Sequence, residues 1–239
     1  MPLPRRPPLY ISAPIAALVE GIYREDTTVG RVRANGDFGI GTFNDLDGEM
    51  VMLDGTVYQL RADGGVEVMD DAVQTPFACV TTFLGDTEEH FPDPMAFAGL
   101  EERLLSLLPS TNLVYAIRID GRFSRVRVRS VPRQENYRPL AEVAKTQTLF
   151  DFADLDGTLV GFWTPSFLGS VHVAGFHLHF LSADRRHGGH LLAADTAGVT
   201  IRLQHAPSVT LELPITLDFL TMEMTRDLHA DIKAAERER

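Results

Sequence analysis

Asn-Gly and Asp-Gly dipeptides punctuate the early part of the chain, and they restrict its fold more than any other feature. Asn35-Gly36, Asp47-Gly48, Asp54-Gly55 and Asp63-Gly64 follow one another at short spacing between apolar segments, and Asp120-Gly121 repeats the pattern later. These pairs tolerate the positive φ that tight hairpins require. Residues 27–83 are therefore predicted to form an antiparallel meander, and residues 113–119 and 122–131 a further hairpin.

Helices are few. Residues 15–23 read as a short helix entered after Ser12 and Pro14. Residues 95–108 carry a helical apolar pattern ended by Pro109. A loop with Pro132 and Pro139 follows, then a short helical stretch at 141–145. Strands are predicted at 159–162, 171–181, 190–194, 199–205 and 209–213. A terminal helix over about residues 226–236 has apolar Leu228, Ile232 and Ala235 on one stripe. The fold class is α+β, with mixed or antiparallel sheets, few helices and a C-terminal helix. A division near residue 135 is expected, into residues 1–135, a mixed-sheet part with flanking helices, and residues 136–239, a metal-binding β part.

One of those strands carries chemistry. In Gly175-Phe176-His177-Leu178-His179-Phe180, two histidines stand two apart, and His190 follows Gly188-Gly189. Side chains on a strand alternate with period two, so His177 and His179 share a face. Residues 184–189 are rich in turn formers, which brings His190 back beside the pair. Three converging imidazoles leave a position open for water or substrate, the layout of a catalytic zinc site. A half-exposed sheet with ordinary polar residues is the plain alternative. His172 has the opposite parity and is expected to face away. His187 lies in the turn, and His90, His205 and His229 have no metal-like spacing. Arg127 and Arg129 share one strand face, Arg127 being expected on a solvated edge.

The net charge of −11 argues against nucleic-acid or anionic-membrane partners. The lone cysteine, Cys79, sits in an apolar run and excludes a disulfide framework or thiolate cluster. No apolar stretch approaches the roughly 18 residues a membrane span needs. Pro14 and Glu20 interrupt the only candidate leader, so no signal peptide is read and a cytoplasmic enzyme is expected.

Several separated motifs together resemble the α-acetolactate decarboxylase family. They are Gly41-Thr42-Phe43-Asn44 with Leu46-Asp47-Gly48-Glu49-Met50; Leu53-Asp54-Gly55-Thr56-Val57-Tyr58-Gln59; Arg129-Ser130-Val131-Pro132-Arg133-Gln134; Gly175 to Phe180; and Gly188-Gly189-His190. They run in the family's order over most of the chain. Asn136 before Tyr137 and the final Arg-Glu-Arg depart from the pattern without touching a motif residue. The resemblance implies that His177, His179 and His190 ligate Zn2+, or another divalent metal. It places Thr42, Glu49 and Arg129 in the pocket and a tail carboxylate at Glu236. It further implies a homodimer of the acetoin and butanediol branch of pyruvate metabolism that converts 2-acetolactate (2-hydroxy-2-methyl-3-oxobutanoate) to (R)-acetoin and CO2.

That chemistry suits these residues. Loss of CO2 leaves an electron pair that must delocalise into the adjacent ketone. Arg129 offers a permanently charged planar donor for the carboxylate or the developing enediolate. Glu49 is the candidate proton donor and Glu236 an assistant. A cupin-type dioxygenase or isomerase would place a glutamate soon after the second histidine, where Phe180-Leu181-Ser182-Ala183 stands instead. A non-enzymatic zinc-stabilised module would want a fourth Cys or His at ligand spacing, which is lacking.

Overall fold

The computed structural model describes residues 6–224 together with residues 228, 231 and 232. Its strands are β1 (Leu9–Ile11), β2 (Phe38–Thr42), β3 (Glu49–Leu53), β4 (Thr56–Leu60), β5 (Val66–Val68), β6 (Ala78–Thr81), β7 (Thr87–Phe91), β8 (Val114–Ser130), β9 (Thr148–Thr164), β10 (Gly175–Ser182), β11 (Gly188–Ala206) and β12 (Val209–Leu211). The helices are α1 (Ile15–Val19), α2 (Val29–Arg33), α3 (Phe97–Leu107), α4 (Leu140–Val143) and α5 (Leu217–Thr221). Few helices and much strand confirm the α+β class.

The strands form two sheets. The first has the order β12-β1-β6-β2-β3-β4-β5 and is mixed, because β1 and β12 run parallel. The second has the order β10-β9-β8-β11-β7, and β10 also pairs with β11, so four of its strands close into a ring. The sheets do not divide at residue 135. β7 and β8, which precede it, belong to the second sheet, and β12, near the end, joins the first.

Alternation along the strands builds three apolar layers. From β3, Val51 and Leu53 enter the core between the sheets, where Ile40, Val160 and Phe162 meet them. Met50 and Met52 point the other way, onto Val29 and Val32 of α2. On the outer face of the second sheet, α3 buries Leu100 and Leu104, one helical turn apart, against Ile117, Phe180 and Leu191. Each such leucine contributes roughly 1.5–3 kcal/mol of burial. Leu228 and Ile232 are buried in the intersheet core. Ala235, Glu236, His229 and most of the predicted terminal helix lie outside the described residues.

The turn dipeptides had unequal fates. Asp54 and Gly55 both take positive φ (51° and 77°) and make the expected tight hairpin between β3 and β4. Asn35-Gly36 instead follows α2, a helical turn that the strand pattern hid. There Thr28 caps the start by accepting a hydrogen bond from Arg31 N at 3.3 Å. The larger correction is at Asp120-Gly121, which is no hairpin but the interior of the 17-residue strand β8. Gly121 (φ 150°) lies so close to β11 that a Cβ there would be 2.3 Å from the Gly198 carbonyl oxygen. That glycine marks a close strand approach, not a turn. The strands predicted at 190–194 and 199–205 are likewise one strand, β11, whose register shifts sit between Leu191 and Ala193 and around Thr196.

Candidate metal centre and reaction pocket

The turn joining β10 to β11 is fixed by its own side chains. Ser182 Oγ donates to Asp184 Oδ1 at 2.6 Å and accepts from His187 N at 3.0 Å. That turn sets the register in which His179 lies directly opposite His190, while His190 in turn lies opposite Arg129 of β8. Directly opposed residues project to one face, so Arg129, His190 and His179 form a row across three strands. His177, two residues from His179, shares that face. Gly189 permits this close approach: a Cβ there would sit 2.6 Å from the Arg129 carbonyl oxygen.

The three rings form a nearly equilateral triangle, with centroid separations of 5.2 Å (His177–His179), 5.0 Å (His177–His190) and 5.2 Å (His179–His190). Each offers a ligand nitrogen within 4.8 Å of the others. All three are buried. Burial, with smaller help from neighbouring imidazoles, pushes His177 well below its ordinary value of 6.5. Burial likewise lowers His179 to about 3, against a backbone hydrogen bond that favours its charged form. Neutral imidazole is the form that binds a metal. His179 is also oriented for it. Its Nδ1 lies 2.8 Å from the Met50 carbonyl, which can only accept, so Nδ1 carries the proton and Nε2 presents its lone pair. That Nε2 is buried and, among the described residues, makes no hydrogen bond. The donor set fits a divalent metal.

The facing sheet supplies the other functional groups. Glu49 opens β3 and is buried; its Oε1 accepts from Arg129 Nη1 at 3.2 Å, and its Oε2 lies 3.6 Å from His179 Nε2. Thr42 ends β2 opposite Glu49, and its hydroxyl donates to the Gly48 carbonyl at 2.7 Å, closing the loop between them. Thr42, Glu49, Arg129 and the three histidines all line one pocket, whose remaining walls include Ile15, Leu18, Phe77, Val131 and Leu140. Arg127 stays at the margin, 3.8 Å from Asp151 and partly exposed. The two arginines share a face but not an environment.

One expectation is overturned. His172 does not face away: its ring lies 5.2 Å from that of His177 and is fully buried. Its Nδ1 lies 2.9 Å from Thr164 Oγ1, and burial lowers it to about 4. β10 begins only at Gly175, whose φ of 89° turns the chain. Counting parity backwards through that glycine is void. Sequence reasoning also missed the Met50 carbonyl, which has no side-chain signature, and Asp45, whose carboxylate binds Arg24 and Arg133.

The chain's relatives point one way. The family described as alpha-acetolactate decarboxylase matches residues 9–226. An alpha-acetolactate decarboxylase of Bacillus licheniformis is 40% identical over 230 residues, covering 95% of this chain and 91% of that protein. One from Methanosarcina mazei is also 40% identical, covering 96% of this chain and 80% of its own length. The crystal structure of alpha-acetolactate decarboxylase from Bacillus subtilis strain 168 superposes with a TM-score of 0.94 at 37% identity, covering 96% of this chain and 99% of that one.

Proposed function

Because the chain belongs to the alpha-acetolactate decarboxylase family, a family of carboxy-lyases, we propose that it converts 2-acetolactate to acetoin and CO2. The observation that carries this reading is the convergence of three buried imidazoles, one buried arginine and one buried glutamate in a single pocket. We assign the metal as zinc, held by His177, His179 and His190. When bound, it supplies a Lewis acid for the vicinal oxygens of a hydroxy-ketone.

The protein's own groups do the rest. Arg129 lies in the row beside His190, where its fixed charge can take the substrate carboxylate and then the negative charge that moves onto the ketone oxygen as CO2 departs. A well-placed donor of this kind is worth about 3 kcal/mol in the transition state. A proton must then reach the carbon that lost CO2, and Glu49 is assigned to deliver it. In the resting pocket Glu49 is paired with Arg129. A substrate carboxylate that shares this counter-ion favours proton uptake by Glu49. Delivery from one side fixes the hand of the product, (R)-acetoin. The walls from Ile15, Leu18 and Leu140 exclude water and accept the substrate's methyl groups. Thr42 keeps lone pairs for a substrate hydroxyl while bracing the loop, and Glu236 is proposed as the second carboxylate. The active species is proposed to be a homodimer.

Metal-replete protein is expected to release one CO2 per 2-acetolactate and to yield acetoin without thiamine or pyridoxal cofactors. Absence of CO2 from fully metallated protein would overturn the assignment.

A further inference from the structure

Thr42, Glu49, Arg129, His177, His179 and His190 are each at most 8% exposed. The pocket that they share is narrow and apolar on its remaining walls, Ile15, Leu18, Leu46, Phe77, Val131 and Leu140 among them. Three segments of those walls meet at one residue, Asp45. It lies in the loop between Thr42 and Glu49, takes a left-handed conformation (φ 65°) and is 3% exposed. Its carboxylate accepts from Arg24 Nε at 2.6 Å and Nη2 at 3.1 Å, a residue just past α1. It also accepts from Arg133 Nη2 at 2.8 Å and from the Tyr137 hydroxyl at 3.2 Å. Its backbone carbonyl accepts from Gln134 N at 2.7 Å.

Arg133, Gln134 and Tyr137 belong to one strap, residues 132–139, with no helix or strand of its own. Its flanking residues, Val131 and Leu140, line the pocket. Most of the strap faces solvent, yet three of its residues bond to Asp45. One further tie is the Tyr23 hydroxyl, which donates to the Arg138 carbonyl at 2.5 Å. Arg24 and Arg133 hold the Asp45 carboxyl below its ordinary value, Arg24 the more strongly.

We propose that Asp45 is a positioning residue that latches the 132–139 strap shut over the reaction pocket, and that the strap opens to admit substrate. The inference takes 2-acetolactate from the reading above, but the closure itself does not depend on which molecule is admitted. A latch of this kind acts on the closed complex and not on bond breaking. Loosening it weakens substrate retention and leaves the chemical step intact.

The test is Asp45→Asn in the metal-loaded protein. Asparagine tolerates the left-handed backbone but removes the charge that holds two arginines. Two measurements are needed. One is the rate at which trypsin cleaves the native protein after Arg133. The other is the division of any activity change between KM and kcat. The variant is expected to be cleaved about tenfold faster, with KM raised about five- to tenfold, kcat within about twofold and the metal retained. Tyr137→Phe, which removes one donor from the exposed strap, is expected to move both readouts the same way by a smaller factor. Unchanged cleavage in both variants would overturn the latch, whether or not 2-acetolactate is the substrate. A fall in kcat at constant KM would place Asp45 in the chemistry and also overturn it.

Discussion

The two sides of the pocket are built on different principles. His179, His190 and Arg129 stand on stretches of β10, β11 and β8 that are paired with neighbours on both edges, and His177 is paired with Phe162 of β9. The opposite side consists of the loop after Thr42, the short helix α1 and the strap. In that loop Asp45, Leu46 and Gly48 all take positive φ. The first side holds ligands at fixed separations, and the second can yield. Ligand geometry and pocket access thus rest on separate elements, and each can be altered without the other.

The contrast is most severely tested at His179, which is expected to be both a ligand and, through Met50, a tie to the facing sheet. His179→Ala should lose the metal by elemental analysis and lower activity at least about a thousandfold, beyond the 10–100-fold typical of outer partners. Full metal occupancy in this variant would show that the strand side does not hold the ion.

Next comes the arginine pair. Arg129→Lys should lower kcat by about a hundredfold, because a point charge cannot replace the planar fork. Arg127→Lys should change it by less than about threefold. Equal effects would mean that burial beside His190 has no catalytic meaning.

Backbone tolerance should separate the strand side from a peripheral turn. Gly189→Ala forces a Cβ to within 2.6 Å of the Arg129 carbonyl oxygen at φ 154° and should cost about 2–4 kcal/mol in urea denaturation. Gly55→Ala also sits at positive φ (77°) but meets nothing within 4 Å, and about 1 kcal/mol is expected. Equal costs would deny the strand side its stiffness.

The smallest effect concerns the support of the yielding side. Glu25 is buried behind the loop, its backbone held by the Asn44 side chain and its Oε1 accepting from Thr216 Oγ1 at 3.1 Å. Burial raises it from 4.5 to about 7. The folded state thus prefers the protonated form. This contribution is complete below pH 4.5 and is lost as pH rises through 7. Tm should fall by a few degrees between pH 5 and 8, and Glu25→Gln should flatten that part of the profile. An unchanged slope would remove Glu25 from the account.

How much of this could be read from the chain follows the same division. The convergence of the three histidines was legible because it depends on two local rules, strand parity and a turn. The separate fates of Arg127 and Arg129 followed from the motif around Arg129. Helix α3 was legible from its apolar period. What escaped notice depends on distant backbone. Gly121 looks like a turn residue until β11 is laid against it, and β8, β9 and β11 looked shorter because bends and bulges interrupt their alternation. Asp154, at φ 53° within β9, is one such break. Asp45 fell between two motif segments, and its role requires Arg24 and Arg133, which the sequence keeps far apart.

The closed ring of β8, β9, β10 and β11 has a kinetic consequence for the empty protein. A strand paired on both edges cannot fray by itself, so backbone amides around His179 and His190 are expected to exchange with deuterium only through global opening. The ligand triangle then exists before the ion arrives. Metal loading should proceed without a folding phase of its own, and metal should slow exchange of those amides and of the distant α3 core by the same factor, set by ion concentration over its dissociation constant.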